Sequence, residues 1–176
     1  MKHSILTLGI IGIIFASFGY YAFTRNASTM SLQLPNLLFE ETIAEETNEY
    51  KNIRYNFSLL YPKELSVKEF DESNGAGTIV LENIEEALGF QIFIVPHRGE
   101  KVSDERFLQD VPSGVRENVS GFYVDGVLAT SFYSKSVELG NTFEIWIVHN
   151  EFLYEITVIR GQEVWLSEIM KTWRFI

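Results

Sequence analysis

Hydrophobic and polar residues alternate along much of the chain after residue 50. The clearest run ends at Pro62 and places five apolar side chains on one face, namely Ile53, Tyr55, Phe57, Leu59 and Tyr61. A period of two is typical of a β-strand with one buried face. The same reasoning predicts strands over residues 78–82, 88–95, 121–124, 127–133, 142–148 and 152–159.

The connections between these segments are short and predict antiparallel neighbours. Asp125 and Gly126 separate two of the predicted strands. Both residue types tolerate the positive φ angles of a primed turn, so this pair predicts a two-residue β-hairpin.

Two segments show a helical period instead. Ser103 is a predicted N-cap for a helix that ends at Asp110, with Phe107 and Leu108 turned inward. Near the carboxyl terminus, apolar residues recur at helical spacing, namely Leu166, Ile169, Met170 and Trp173. A short strand over residues 174–176 is predicted to follow. Because several strands are apolar on both faces, we expect helices to cover the second face in part. The predicted fold class is α+β, with a central antiparallel β-sheet flanked by helices.

The first 23 residues have a different character. Residues 5–23 contain no charged residue and would span roughly 28 Å as a helix, close to the thickness of a bilayer core. We therefore expect a transmembrane anchor over residues 1–23. The alternative is a cleaved signal peptide, for which Ser17 and Gly19 are weak cleavage-site residues. Either interpretation places the rest of the chain outside the cytoplasm.

Residues 24–49 are predicted to be an acidic linker, in which Arg25 is the only base. A flexible linker of this length would hold a domain roughly 26–31 Å from the membrane. Pro35 and the residues after it also allow a short helix, with Leu38, Phe39 and Ile43 on one side. In one interpretation, that apolar stripe docks on the domain or on a partner. In the other, the segment is a solvated, partly helical linker.

Residues 50–176 resemble PsbP-like domains. The resemblance lies in YNFSLLYP (Tyr55–Pro62), in IMKTWRFI (Ile169–Ile176), and in the Asp-Gly hairpin between them. It implies an α/β/α sandwich with a central antiparallel sheet, in a family whose domains are mostly non-enzymatic. The name-giving member is an extrinsic subunit of the photosynthetic oxygen-evolving complex. The resemblance implies no metal or docking residue at a position of this chain.

Composition and charge exclude several functions. The chain has 24 acidic and 14 basic residues, a formal charge of −10, and no cysteine. The negative charge argues against a nucleic-acid-binding surface, and the absence of cysteine excludes disulfides and thiolate metal sites. Outside the predicted anchor the only histidines are His97 and His149. No spacing predicts a metal site, and we expect no cofactor.

A partner-binding surface is predicted from four residues. Trp146 lies on the sheet face opposite Phe143, Ile145 and Ile147, so it is core if a helix covers it and a partner-binding anchor if it is exposed. His97, Arg98 and Lys101 lie in a predicted loop and complete this candidate surface.

The sequence therefore predicts a non-catalytic, membrane-tethered extracytoplasmic domain that binds an unknown protein or belongs to an envelope complex. Its partners would be the membrane, through the amino-terminal helix, and that protein. The expected location is the bacterial plasma membrane with the carboxyl-terminal domain outside the cytoplasm, or secretion if the first segment is cleaved. The alternatives are a small-ligand or ion carrier with a cleft between sheet and helix, and a hydrolase built on His97 or His149.

Overall fold

The computed structural model describes residues 46–176. The predicted anchor (1–23) and most of the predicted linker (24–49) lie outside the described residues. The described elements are β1 (Thr47–Asn52), β2 (Phe57–Pro62), β3 (Ser66–Asp71), β4 (Gly77–Asn83), β5 (Leu88–Pro96), α1 (Asp104–Asp110), β6 (Glu117–Val124), β7 (Val127–Ser136), β8 (Gly140–His149), β9 (Phe152–Ile159), α2 (Glu163–Met170) and β10 (Arg174–Phe175). Within residues 46–176, neither helix has the length and hydrophobicity of a membrane span.

The strands form two antiparallel sheets. The large sheet has seven strands in the order β3-β4-β5-β9-β8-β7-β6, and the small sheet has three in the order β1-β2-β10. The hairpin predicted at Asp125 and Gly126 is confirmed, because both residues have positive φ (47° and 80°) and Val124 pairs with Val127. Short turns thus determine most neighbours, while β5 and β9 are paired across more than fifty residues of sequence.

The first predicted strand, which begins at Ile53 in the sequence pattern, is shorter in the structure. Residues 53–56 form a turn, in which Asn56 has a φ of 54°, and β2 begins only at Phe57. The turn is needed because β1 pairs antiparallel with β2, and Asn52 lies opposite Phe57. Thr47, Asn48 and Glu49, which fall at the end of the predicted linker, lie in β1. The polar sequence of β1 hides it from a search for apolar alternation.

One face of the large sheet, here called the first face, packs against the small sheet and α2. The apolar stripe predicted for the last helix is confirmed, since its four residues are all buried. Trp173 lies just beyond α2 and stacks on Phe57, with ring centroids 4.2 Å apart. The hydroxyl of Tyr154 donates a hydrogen bond to the carbonyl oxygen of Tyr55 at 2.8 Å, which joins the two sheets.

The opposite, second face is covered in part by α1. The predicted cap is confirmed, because the Ser103 hydroxyl oxygen accepts a hydrogen bond from the Arg106 backbone N–H at 3.1 Å. Phe107 is buried, but Leu108 is exposed, so the prediction that both point inward was wrong. Neighbouring residues of a helix point about 100° apart, and a seven-residue helix on a flat sheet buries only one narrow stripe.

The central antiparallel sheet with a helix on each face agrees with the predicted α+β class. The expected α/β/α sandwich is met in part, because α1 lies on the second face, and α2 shares the first face with a three-stranded sheet. The described domain is therefore rich in β-structure, with two short helices.

Candidate functional site

Trp146 is buried and does not contribute to the surface. Its ring lies between Phe107 of α1 and Phe132 of β7, with centroid distances of 5.7 Å and 5.4 Å. Trp146 is therefore not an exposed partner-binding anchor. It belongs to the core beneath α1.

The other three predicted surface residues lie together in the loop after β5. The backbone N–H of His97 donates a hydrogen bond to the carbonyl oxygen of Glu151 at 2.7 Å, which holds the loop against the β8–β9 turn. A ring nitrogen of His97 lies 3.2 Å from the carbonyl oxygen of Lys101. Arg98 and Lys101 are exposed. This exposed loop carries two bases and one acid, Glu100, and it does not include Trp146.

Neither histidine lies in a catalytic arrangement among the described residues. The hydrogen bonds and ion pairs of residues 46–176 join neither His97 nor His149 to a carboxylate. His149 instead packs on Phe175, with ring centroids 4.2 Å apart. Residues 46–176 also contain no group of three or more acidic or histidine side chains suited to a metal ion. The geometry that a histidine-based hydrolase requires is not found in this part of the chain.

Three exposed apolar side chains lie at the β6 edge of the large sheet. Tyr123 is 74% exposed, Leu128 is 60% exposed and Val119 is 55% exposed. Tyr123 lies directly opposite Leu128 next to the hairpin turn, so the two side chains are neighbours on the second face. An exposed apolar group of this kind is a feature of interaction surfaces.

The two edges of the large sheet differ in charge. The edge strand β3 contains Lys68, Glu69 and Asp71, whereas residues 118–124 of β6 contain no charged side chain. Charged side chains on an edge strand oppose pairing with another strand. The β3 edge is thus protected, and the β6 edge is open to an added strand.

The backbone of β6 offers hydrogen-bonding groups to such a strand. The two-residue turn makes Val124 and Val127 a hydrogen-bonded pair, and hydrogen-bonded and non-hydrogen-bonded pairs then alternate along the ladder. Phe122 therefore bonds to β7, while Gly121 and Tyr123 direct their N–H and C=O groups outward. Gly121 presents no side chain that would obstruct access to them.

A groove lies beside the same strand on the first face, between β6–β8 and α2. Its volume is about 260 Å³, and it is lined by Phe122, Phe143 and Met170, with Lys171 at its rim. We call the outer edge of β6, the exposed residues Val119, Tyr123 and Leu128, and this groove together the β6 surface. Apolar side chains thus flank the free edge on both faces of the sheet.

A second concavity, of about 220 Å³, lies where the β1–β2 turn meets β3 and β4. Its polar groups already have partners within the protein. Arg54 forms an ion pair with Asp71 and lies over the ring of Tyr55, 5.0 Å from its centroid. Asn52 donates to the hydroxyl of Tyr50 at 2.8 Å and accepts from the backbone N–H of Tyr55 at 3.0 Å. This cleft therefore presents few free groups to a ligand.

Acidic side chains are buried beneath α1. Glu144 accepts hydrogen bonds from the hydroxyls of Thr142 and Thr157 at 2.6 Å and 2.7 Å, yet burial raises its pKa to about 7. Burial and the neighbouring Asp110 raise the pKa of Glu155 well above its usual range, and Arg106, 3.8 Å away, opposes this only in part. These carboxyl groups are enclosed, so they belong to the interior and not to an open site.

Sequence reasoning did not identify the β6 surface. One signal was present, because residues 118–124 lack charge in a chain that is 22% charged. That signal has no meaning until the strand is known to lie at an edge, which depends on the strand order.

Comparisons with known proteins support the fold. No protein-family profile and no curated protein sequence matches the chain. The solution structure of cyanobacterial PsbP (CyanoP) from Synechocystis sp. PCC 6803 is similar, with a TM-score of 0.51 and 13% sequence identity. The similarity covers 80% of this chain and 98% of that chain. At this identity the likeness concerns the fold alone, and residues 46–176 therefore have a PsbP-like fold.

Proposed function

We propose that this chain is a non-catalytic, membrane-tethered extracytoplasmic protein that binds a protein partner through the β6 surface. The observation that carries the proposal is an exposed edge strand that carries no charge over residues 118–124 and has apolar side chains on both sides of it. Strand addition would supply main-chain hydrogen bonds to Gly121 and Tyr123. The groove and the pair of Tyr123 and Leu128 would select alternate side chains of the added strand.

The partner's chemistry follows from the charge of the domain. Residues 46–176 contain 21 acidic and 12 basic residues, a formal charge of −9. At this charge, two copies of the domain would repel each other, and the domain would also repel an acidic peptide. The surface therefore suits an extended segment that is apolar at alternate positions and neutral or basic overall.

The tether and the absence of catalysis rest on other support. The uncharged stretch at residues 5–23 supports an anchor that places the domain outside the cytoplasm. The likeness to a PsbP fold supports an accessory role without catalysis. We propose the loop with His97, Arg98 and Lys101 as a second contact area, which lies outside the β6 surface.

Site-specific photocrosslinking in membranes tests the proposal. A photoreactive amino acid at Tyr123 of the full chain should give a discrete crosslinked product, whereas the same group at Val137, a 93% exposed position, should give none. Gly121→Pro removes an outward N–H without removing a bond to β7, so it should lower the Tyr123 product at least about tenfold. Equal products at both positions, or a Tyr123 product that Gly121→Pro does not change, would contradict strand addition.

A small-ligand carrier is the second candidate, because the groove between β6–β8 and α2 is lined mainly by apolar side chains. It predicts that a small apolar fluorophore binds in the groove and that Phe143→Asp removes this binding. The leading proposal predicts instead that Phe143→Asp lowers the Tyr123 crosslink, because the groove then receives a side chain of the added strand.

A further inference from the structure

Three glycines in the strands of the large sheet are explained by the structure of the domain itself. A Cβ atom at Gly77 would lie 2.4 Å from the hydroxyl oxygen of the buried Tyr55, and one at Gly89 would lie 2.5 Å from the carbonyl oxygen of Leu81. Both distances are too short for a real Cβ atom. Gly140, at the start of β8, has a φ of 73°, a left-handed conformation that favours glycine.

Gly121 of β6, the remaining strand glycine of residues 46–176, has none of these reasons. A Cβ atom there would lie 3.6 Å from a methyl carbon of Leu128 and 3.8 Å from the carbonyl oxygen of Ala129, which are ordinary van der Waals contacts. Its φ lies outside the left-handed region, and it pairs in register with Thr130. Because glycine in a strand is less stable than alanine, this glycine lowers the stability of β6 without a benefit to its packing.

The missing side chain leaves a gap at the edge of the second face. Phe122 packs on the first face, so its neighbours Gly121 and Tyr123 lie on the second. The exposed side chains of Tyr123 and Leu128 stand on one side of the gap, and Thr130 lies across from it on β7. Within the part of the chain that the structure describes, β6 is the last strand of the sheet, so the outer side of the gap is open.

A glycine inside a strand often marks a position where a ligand or another backbone approaches closely. The N–H and C=O groups of Gly121 point away from β7, as the register from the hairpin turn requires. An added strand that bonds to these groups would place one of its residues beside Gly121. The side chain of that residue would lie on the second face, directly over the gap.

A planar aromatic side chain fits this gap best. An aromatic residue next to an edge glycine covers the backbone that the glycine leaves bare. The ring of Tyr123 offers the tilted or edge contact that a second aromatic ring prefers, and Leu128 adds apolar surface beside it. A small side chain would leave the backbone of Gly121 exposed, and the formal charge of −9 on residues 46–176 disfavours an acidic one.

We infer that the partner strand bound by the β6 surface carries an aromatic residue beside Gly121, and that Gly121 selects this residue. The inference rests on the proposed strand addition and deepens it. Strand addition by itself uses backbone groups, which do not distinguish an aromatic residue from any other. The occupant is therefore an extended segment of a partner protein that is neutral or basic, has an aromatic side chain over Gly121, and has an apolar side chain in the groove.

Binding of synthetic strands by the purified full chain in detergent tests the inference. The probes are two capped fluorescent peptides of the pattern Lys-Thr-Val-X-Val-Thr-Lys, in which X is Phe or Ala. The wild type should bind the Phe peptide at least about tenfold more tightly, because the ring is buried against Tyr123 and Leu128. Gly121→Val fills the gap but keeps the backbone N–H, so it should reduce the difference to less than about threefold. The matched control is Thr130→Val, which alters the same face without filling the gap and should keep the tenfold difference.

Gly121→Pro separates this inference from the proposed function. It removes an outward N–H and should weaken the binding of both peptides at least about tenfold. Equal wild-type affinity for the two peptides, with both weakened by Gly121→Pro, would overturn the aromatic selection and leave strand addition intact. A preference for Phe that Gly121→Val does not change would also overturn it, because the ring would then bind elsewhere. Affinities that Gly121→Pro leaves unchanged, or no binding of either peptide, would contradict both.

Stability gives a second measurement that needs no peptide. Because a Cβ atom fits at Gly121, Gly121→Ala and Gly121→Val should unfold at no lower urea concentration than the wild type. The matched control is Gly89→Ala, which should unfold at a clearly lower concentration, since its Cβ atom has no room. A lowered midpoint for Gly121→Ala would show that the fold itself requires this glycine and would overturn the inference.

Discussion

Glu144 shows how strongly a single buried residue can depend on its surroundings. Two threonine hydroxyls donate to its carboxylate and favour the charged form, but the loss of solvation beneath α1 is the larger effect. Glu155 lies in the same layer beside Asp110, and Arg106 of α1 is the cation next to them. The face that carries α1 is therefore sensitive to ionisation.

Replacement of Glu144 tests this sensitivity. The pKa of Glu144 is raised from 4.5 to about 7 in the folded protein, so its stabilising contribution is complete below pH 4.5 and is lost as the pH rises through 7. Glu144→Gln cannot ionise and should be the more stable protein at pH 8, by about 3 kcal/mol, with little difference at pH 4.5.

Urea unfolding across this pH range measures the effect of Glu144→Gln. The matched control is Glu86→Gln at an exposed position, which should leave the pH dependence unchanged. Parallel stability curves for the wild type and Glu144→Gln would show that the folded pKa is not raised.

At the scale of elements, α2 and β10 close the first face around Trp173. This side chain is fully buried, stacks on Phe57 and meets the edge of Tyr154 at 5.8 Å. Its indole N–H has no hydrogen-bond partner among the described residues, so the contribution of Trp173 comes from packing. The carboxyl-terminal segment is thereby joined to both sheets.

Truncation of Trp173 should destabilise the domain strongly. Trp173→Ala leaves a cavity between the sheets and should cost about 3–5 kcal/mol in the free energy of unfolding. Trp173→Phe should cost less, because it keeps the stacking on Phe57 and removes an unpaired N–H. Urea unfolding followed by circular dichroism gives the values. Val164→Ala on the exposed side of α2 is the control and should change stability by less than about 0.5 kcal/mol. A similarly small change for Trp173→Ala would contradict the packing argument.

At the scale of the whole molecule, the two edges of the large sheet, β3 and β6, lie at opposite sides of the domain. The first described residue, Glu46, bonds to Lys63, three residues before β3, and the stretch without charge, residues 118–124, lies at the opposite edge in β6. The formal charge of −9 on residues 46–176 is spread over a domain whose β6 edge carries none of it between residues 118 and 124. Under the proposed function, this separation would keep the binding edge clear of the attachment point.

The orientation of the whole chain is testable with a reporter. Alkaline phosphatase fused after Ile176 should be active in cells, because the domain is expected outside the cytoplasm. Deletion of residues 5–23 from the same fusion should abolish activity without lowering its expression. Activity that is independent of residues 5–23 would contradict their role in export.

Several features of the fold could be predicted because they depend on residues close together in the chain. The hairpin at Asp125 and Gly126, the Ser103 cap and the stripe ending at Trp173 are examples. Each arises from local backbone preference or from a period of two or 3.6 residues. The limits of this reasoning appear at Leu108 and at residues 53–56, where packing and strand pairing decided the outcome.

The sequence by itself determined the α+β class, most of the strands and the acidic, cysteine-free character of the protein. Only the tertiary structure decided that β6 is an open edge, that Trp146 is core, and that Glu144 and Glu155 are enclosed. The physical reason is that strand order and burial depend on contacts between distant segments, such as β5 with β9. A residue's own type and its neighbours do not reveal which side chains will cover it.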